Sequence, residues 1–142
     1  MEENVLTFLK TQSPALCVFS TVGPDAKPES AVLAYAVHDD LSLVFSTHIT
    51  TRKWSNLKQN DKVAVVFGMS FTSPNIQYQG VATLIENGSE HNDQEDFFYS
   101  QRPETARFKS ETTGYIVVKP TWIRLTDMSQ HPPKTEEKSF DR

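Results

Sequence analysis

The chain of 142 residues has a single cysteine, Cys17, which excludes an intrachain disulfide framework and a cysteine-rich zinc site. Its longest unbroken apolar run, residues 31–37, falls far short of the roughly 20 residues that span a bilayer as a helix. Cations are in the minority, 14 Lys and Arg against 18 Asp and Glu, for a net charge of −4. A protein that coats nucleic acid is normally basic, so that class is set aside. Glycine is scarce, at five residues, and no GxGxxG, Walker-type or GxSxG sequence occurs. The start, Met1-Glu2-Glu3, lacks the charged-then-apolar order of a signal peptide, so a cytoplasmic protein without membrane partners is expected. Apolar residues make up only 37%. Much of that leanness lies in residues 129–142, where Phe140 is the only apolar side chain among six charges and Pro132-Pro133. Residues 1–128 therefore read as one domain and 129–142 as a polar, disordered tail.

Three segments have helical character. Residues 2–11 carry Val5, Leu6, Phe8 and Leu9 on a broad face, with acids first and Lys10 last, as the helix dipole favours. A second helix starts at Thr50 or Thr51 and runs to Gln59, with Trp54 and Leu57 one turn apart. A third starts at Asn92, whose spacing to Glu95 is that of a capping box, and stops near Arg102-Pro103. The remainder reads as six strands: residues 15–21, 30–37, 41–47, 62–68, 75–86 and 113–125. The second and third should form a hairpin across His38-Asp39-Asp40. Gly80 predicts a bulge or tight bend, and Pro120 an edge or a break. Several runs are apolar on both faces, which suggests a small rolled antiparallel barrel with one face in the core and the other against a helix or a partner.

The most informative segment is Ser46-Thr47-His48-Ile49-Thr50-Thr51-Arg52-Lys53. The first and third helices place acids in their first turns, but the second places Arg52 and Lys53 there and no acid. Residues 41–60 hold three cations and no acid in a chain that is acidic overall. Like charge at the positive end of a helix costs about 0.3–1 kcal/mol per exposed group. An anion over the helix start removes that cost. Free N–H groups, the hydroxyls of Thr47, Thr50 and Thr51, and two cations would together form a phosphate site. The alternative is that both cations point into solvent. The four histidines are scattered without metal-ligand spacing, and Cys17 reads as a buried, inert thiol in mid-strand. Phe97-Phe98-Tyr99 reads as a helix face packed on the barrel, and Asp39-Asp40 as a turn.

The segment 15–67 resembles the FMN-binding split barrels of the pyridoxamine 5′-phosphate oxidase-like family. The opening strand Ala15-Leu16-Cys17-Val18-Phe19-Ser20-Thr21 is followed by a Gly/Asp turn and Lys27-Pro28. A hairpin then ends in Leu43-Val44-Phe45-Ser46-Thr47, followed by Thr51-Arg52-Lys53, Asn56-Leu57 and the strand Lys62-Val63-Ala64-Val65-Val66-Phe67. Phe97-Phe98-Tyr99-Ser100-Gln101-Arg102-Pro103 is similar to the segment after the family's fifth strand. The likeness covers about residues 8–125. It implies a mainly β, six-stranded antiparallel split barrel and a homodimer with FMN at the subunit interface. By position, it implies that Ser46, Thr47, Thr51, Arg52 and Lys53 hold the ribityl phosphate, and that Asn75 or Gln77 lies near the flavin ring. The true oxidases commonly carry an arginine on the second strand, where this chain has Ser30-Ala31-Val32, and a longer C-terminal region rich in Trp and Arg. Authentic pyridoxamine phosphate oxidation is therefore not expected.

The resemblance implies a small flavin-dependent oxidoreductase of unknown substrate and unknown catalytic residues. The alternative is a non-catalytic module on the same fold, holding FMN, haem or another planar ligand for sensing or stress response. A third reading is a barrel without cofactor that acts only through interactions. Fold alone does not choose among them.

Overall fold

The protein is described by a computed structural model, and residues 1–86 and 93–141 are described here. Helix α1 (Glu2–Thr11) precedes the hairpin β1 (Leu16–Val22) and β2 (Pro28–Ala34). Two short strands, β3 (Ala36–Val37) and β4 (Leu43–His48), lead to α2 (Arg52–Gln59). Then come β5 (Lys62–Phe67), the long β6 (Asn75–Glu86), α3 (Asp93–Gln101), β7 (Thr113–Asp127) and β8 (Lys134–Ser139). All ladders are antiparallel, in the order β2-β1-β5-β6-β7-β4-β3, with β8 paired to β7. The sheet curls until β2 lies beside β4, which gives the expected mainly β split-barrel architecture.

The count is eight strands rather than six, for two physical reasons. The segment expected as one strand over residues 30–37 breaks at Tyr35. Ahead of the break, β2 pairs with β1; beyond it, only Ala36 and Val37 pair with β4. Tyr35 is fully buried; its hydroxyl donates to the Leu9 carbonyl (2.8 Å) and accepts from Gln12 Nε2 (2.9 Å). Burial pushes that phenol up to about 12. The second departure lies in residues 129–142, read as a disordered tail: Lys134–Ser139 form β8, whose six residues are all exposed. Ladder bonds to β7, an Arg124–Glu137 pair (2.8 Å) and a Lys138–Glu2 pair hold it without any core contribution, so hydrophobic pattern gave no sign of it. Asn92, the expected cap of α3, lies outside the described residues.

Gly80 and Pro120 meet as opposing residues where the β6–β7 register shifts, which is the expected bulge. A Cβ at Gly80 would stand 2.5 Å from Val118 Cγ1, so only glycine fits. On the other edge of β7, the β4 ladder ends at Val118 and the β8 ladder begins at Trp122. Pro120, which has no N–H to give, falls in that gap.

The core is built by Phe19, Tyr35, Phe45, Phe67, Tyr78 and Ile116 with the inward faces of α1 and α2. Cys17 sits in it, its thiol pushed up to about 12 by burial, which makes it a poor nucleophile as expected. Phe98 packs α3 against Ala36 and Val44. No helix among the described residues is long and apolar enough to cross a membrane.

Candidate functional site

The site is built where β4 runs into α2. Thr51 caps the helix: its hydroxyl donates to the His48 carbonyl (2.8 Å) and accepts a long bond from the Trp54 N–H (3.4 Å). Among the described residues, the N–H groups of Arg52 and Lys53 have no acceptor, as expected in the first turn of a helix. The start of α2 is fixed from below by Trp54, whose ring packs close against Gly114 of β7. A Cβ there would come within 2.6 Å of the indole.

Two hollows open along β2. The first, about 470 Å³, is lined by Glu29, Ser30 and Ala31 of β2 and by Thr50, Thr51, Arg52 and Lys53. The second, about 290 Å³, is lined by Val32–Ala34, by Ser46, Thr47 and His48 of β4, and by the aromatic rings of Phe98, Tyr99 and Phe108. The residues expected to hold a phosphate thus divide. Thr51, Arg52 and Lys53 come together in the first hollow, and Ser46 and Thr47 in the second. Thr47 Oγ1 and Thr51 Oγ1 stand 3.5 Å apart at the junction.

The two cations differ. Arg52, its side chain 86% exposed, is paired with Glu29 at 2.9 Å, so an anion from β2 already stands at this helix start. Lys53 is half-buried and has no hydrogen-bond or ion-pair partner among the described residues; desolvation lowers its pKa. Arg52 points largely into solvent, as the alternative reading has it, but does so paired with Glu29, while Lys53 is half-buried; the anion expected from the helix dipole is partly supplied by the protein itself.

Asn75 and Gln77 join neither hollow. Asn75 Nδ2 donates to the carbonyls of Gly68 (2.8 Å) and Ser70 (3.1 Å) and so holds the β5–β6 loop. Gln77 is exposed on the outer face of the sheet. There Val32, Val18, Val66 and Gln77 follow one another across β2, β1, β5 and β6.

Sequence reasoning missed Glu29 and Phe108. Glu29 shares one strand face with Ala31 and Leu33, and a lone charge on that face was the available signal. Phe108 is the last residue of a 3-10 turn (Pro103–Phe108) that no periodicity marks. Among the described residues, no group of His, Cys, Asp or Glu is arranged to hold a metal.

A family model described as pyridoxamine 5′-phosphate oxidase matches residues 1–127. A pyridoxine/pyridoxamine 5′-phosphate oxidase of Ehrlichia chaffeensis is 28% identical over 92 residues, 65% of this chain and 44% of that protein. The chain spans less than half the length of the curated relatives it matches. Among solved structures, General Stress Protein 26 of Bacillus anthracis is similar at TM-score 0.72 and 22% identity, covering 96% of this chain and 98% of that one. A pyridoxamine 5′-phosphate oxidase-related, FMN-binding protein of Nostoc punctiforme is similar at TM-score 0.69 and 13% identity, covering 99% and 92%. At these identities the structural likeness establishes the fold.

Proposed function

The chain belongs to the pyridoxamine 5′-phosphate oxidase family, and from that premise we propose that it binds FMN along β2, with the ribityl phosphate at the start of α2. The observation that carries this reading is Lys53, a half-buried ammonium with no partner among the described residues, beside the two first-turn N–H groups in a hollow of about 470 Å³. That donor set fits a phosphate: two backbone N–H groups, the hydroxyl of Thr50 and the Lys53 ammonium, with Thr51, whose own proton goes to the His48 carbonyl, holding the helix start in place. The ring would lie toward the second hollow, between the hydroxyl-bearing Ser46 and Thr47 of β4 and the apolar and aromatic wall of Val32, Leu33, Phe98 and Phe108. When bound, FMN supplies two-electron redox chemistry. The chain's residues orient it and exclude water, which favours a small flavin-dependent oxidoreductase.

We further propose a homodimer. Val32 is 65% exposed, and Leu16 and Val66 join it on an outer face without charge at its centre. A second copy over that face would also bring Gln77 and Asn75 toward a shared cofactor. A purified protein that is yellow, bleaches on reduction and has a solution mass near twice 16.1 kDa is the expected result. The double change Arg52→Ala, Lys53→Ala should weaken FMN binding by about 100-fold while riboflavin changes less than about threefold, since charge-assisted bonds are worth about 1.5–3 kcal/mol each. Equal weakening of both ligands would remove the phosphate from this site.

A further inference from the structure

We infer that Glu29 is a built-in competitor for the ligand phosphate, set on the neighbouring strand to hold Arg52 and limit anion affinity. The inference rests on the phosphate reading above.

Glu29 is fixed by two residues of α2, one turn apart. Its Oε1 pairs with Arg52 Nη2 at 2.9 Å, and its Oε2 accepts from Asn56 Nδ2 at 2.9 Å. Asn56 is itself buried and also donates to Thr21 Oγ1 (3.0 Å), so the carboxylate is held from a rigid point rather than by a mobile surface contact. The side chain of Glu29 is 25% exposed and lines the same hollow as Thr50, Thr51 and Lys53. The three charges of that lining sum to +1. A phosphate entering there meets Lys53 directly, but it meets Arg52 only by drawing the guanidinium off Glu29. It also enters the field of a carboxylate that stays behind.

The geometry separates Glu29 from a merely structural anchor. Holding α2 against β2 requires only an acceptor for Asn56, which a neutral amide also supplies. The charge also relieves the like charge of Arg52 at the start of α2, but no hydrogen bond of the anchor needs it, and it opposes a bound anion.

The test compares FMN and riboflavin titrations of the full-length wild type, Glu29→Gln and Glu29→Thr. Glu29→Gln keeps the acceptor for Asn56 and removes the charge; Glu29→Thr removes both and suits an edge strand, so one neutral variant remains if the other folds poorly by circular dichroism. FMN dissociation constants should fall about two- to fivefold, the scale of a partly exposed charge pair, while riboflavin stays within about 1.5-fold. Unchanged or weaker FMN binding, or an equal change for both ligands, overturns the role of Glu29. If the Arg52→Ala, Lys53→Ala protein still loses its preference for FMN, the phosphate site then stands without it. If neither flavin binds any of these proteins, both readings fall.

Discussion

Helix α2 seats mainly on β1 and β6 and helix α3 on β3, β4 and β7, and their N-terminal turns are finished in opposite ways. α3 opens with Asp93, Glu95 and Asp96, as the helix dipole favours. Glu95 then pairs with Lys109 and accepts from the Tyr115 hydroxyl (3.1 Å), which also reaches Tyr99 (3.1 Å). Burial raises the Tyr115 pKa and keeps that phenol neutral. The network ties Glu95 to a cation and a hydroxyl of its own chain. α2 opens with Arg52 and Lys53 and no acid of its own. One cation borrows Glu29 from another strand, and the other has no partner among the described residues. A helix start whose charge is met within the chain is architecture; one with an unmatched ammonium in a hollow is where we propose the ligand phosphate.

The largest blow to this contrast is a change under α2. Gly114→Ala places a methyl 2.6 Å from the Trp54 ring, and such overpacking costs about 1–3 kcal/mol. A thermal midpoint lower by several degrees, with weaker FMN binding as the helix start shifts, is the expected outcome. Unchanged stability would show that α2 is not seated through this contact. Tyr115→Phe is the matching change under α3. Loss of one buried hydroxyl should cost about 1 kcal/mol in denaturant titration, with FMN affinity unaltered. A drop in affinity there would join the two helix starts into one site.

The smallest effect is the most diagnostic. Lys53→Met should raise the thermal midpoint of the flavin-free protein by about 2 °C while lowering FMN affinity, since it trades an unpaired charge for an apolar stem. The sign depends on pH. The pKa of Lys53 is lowered on folding, so below its folded value both states carry the proton and the penalty is constant. Between the folded and unfolded values only the unfolded chain keeps it, and folding becomes easier as pH rises. The advantage of methionine should therefore be full at neutral pH and fade toward the ordinary lysine range. A constant advantage across that range would place its origin in packing instead.

Much of this is legible in the sequence alone. The spacing of Trp54 and Leu57 marks α2, Thr50 or Thr51 its start, the absence of acids from residues 41–60 its unusual first turn, Gly80 a bulge or tight bend and Pro120 an edge or a break, because each is a local property of the chain. Glu29 was not legible, because its meeting with Arg52 depends on β2 pairing with β1 and curling back toward β4, a matter of tertiary closure. The break at Tyr35 hid in a continuous apolar run whose two halves choose different partners. β8 hid because Lys-Thr-Glu-Glu-Lys-Ser has no apolar periodicity, and its order comes from an edge of β7 that happens to be open.

That edge has a consequence of its own. Because Pro120 falls between them, β4 and β8 pair with separate halves of one strand. The seam divides β7 into a half that shapes the candidate site and a half that carries a charged outer strand. Everything beyond residue 127, where the family match ends, is attached on the far side of it. The pairing of Ser46 with Tyr115 and of Thr47 with Gly114 lies wholly on the near side.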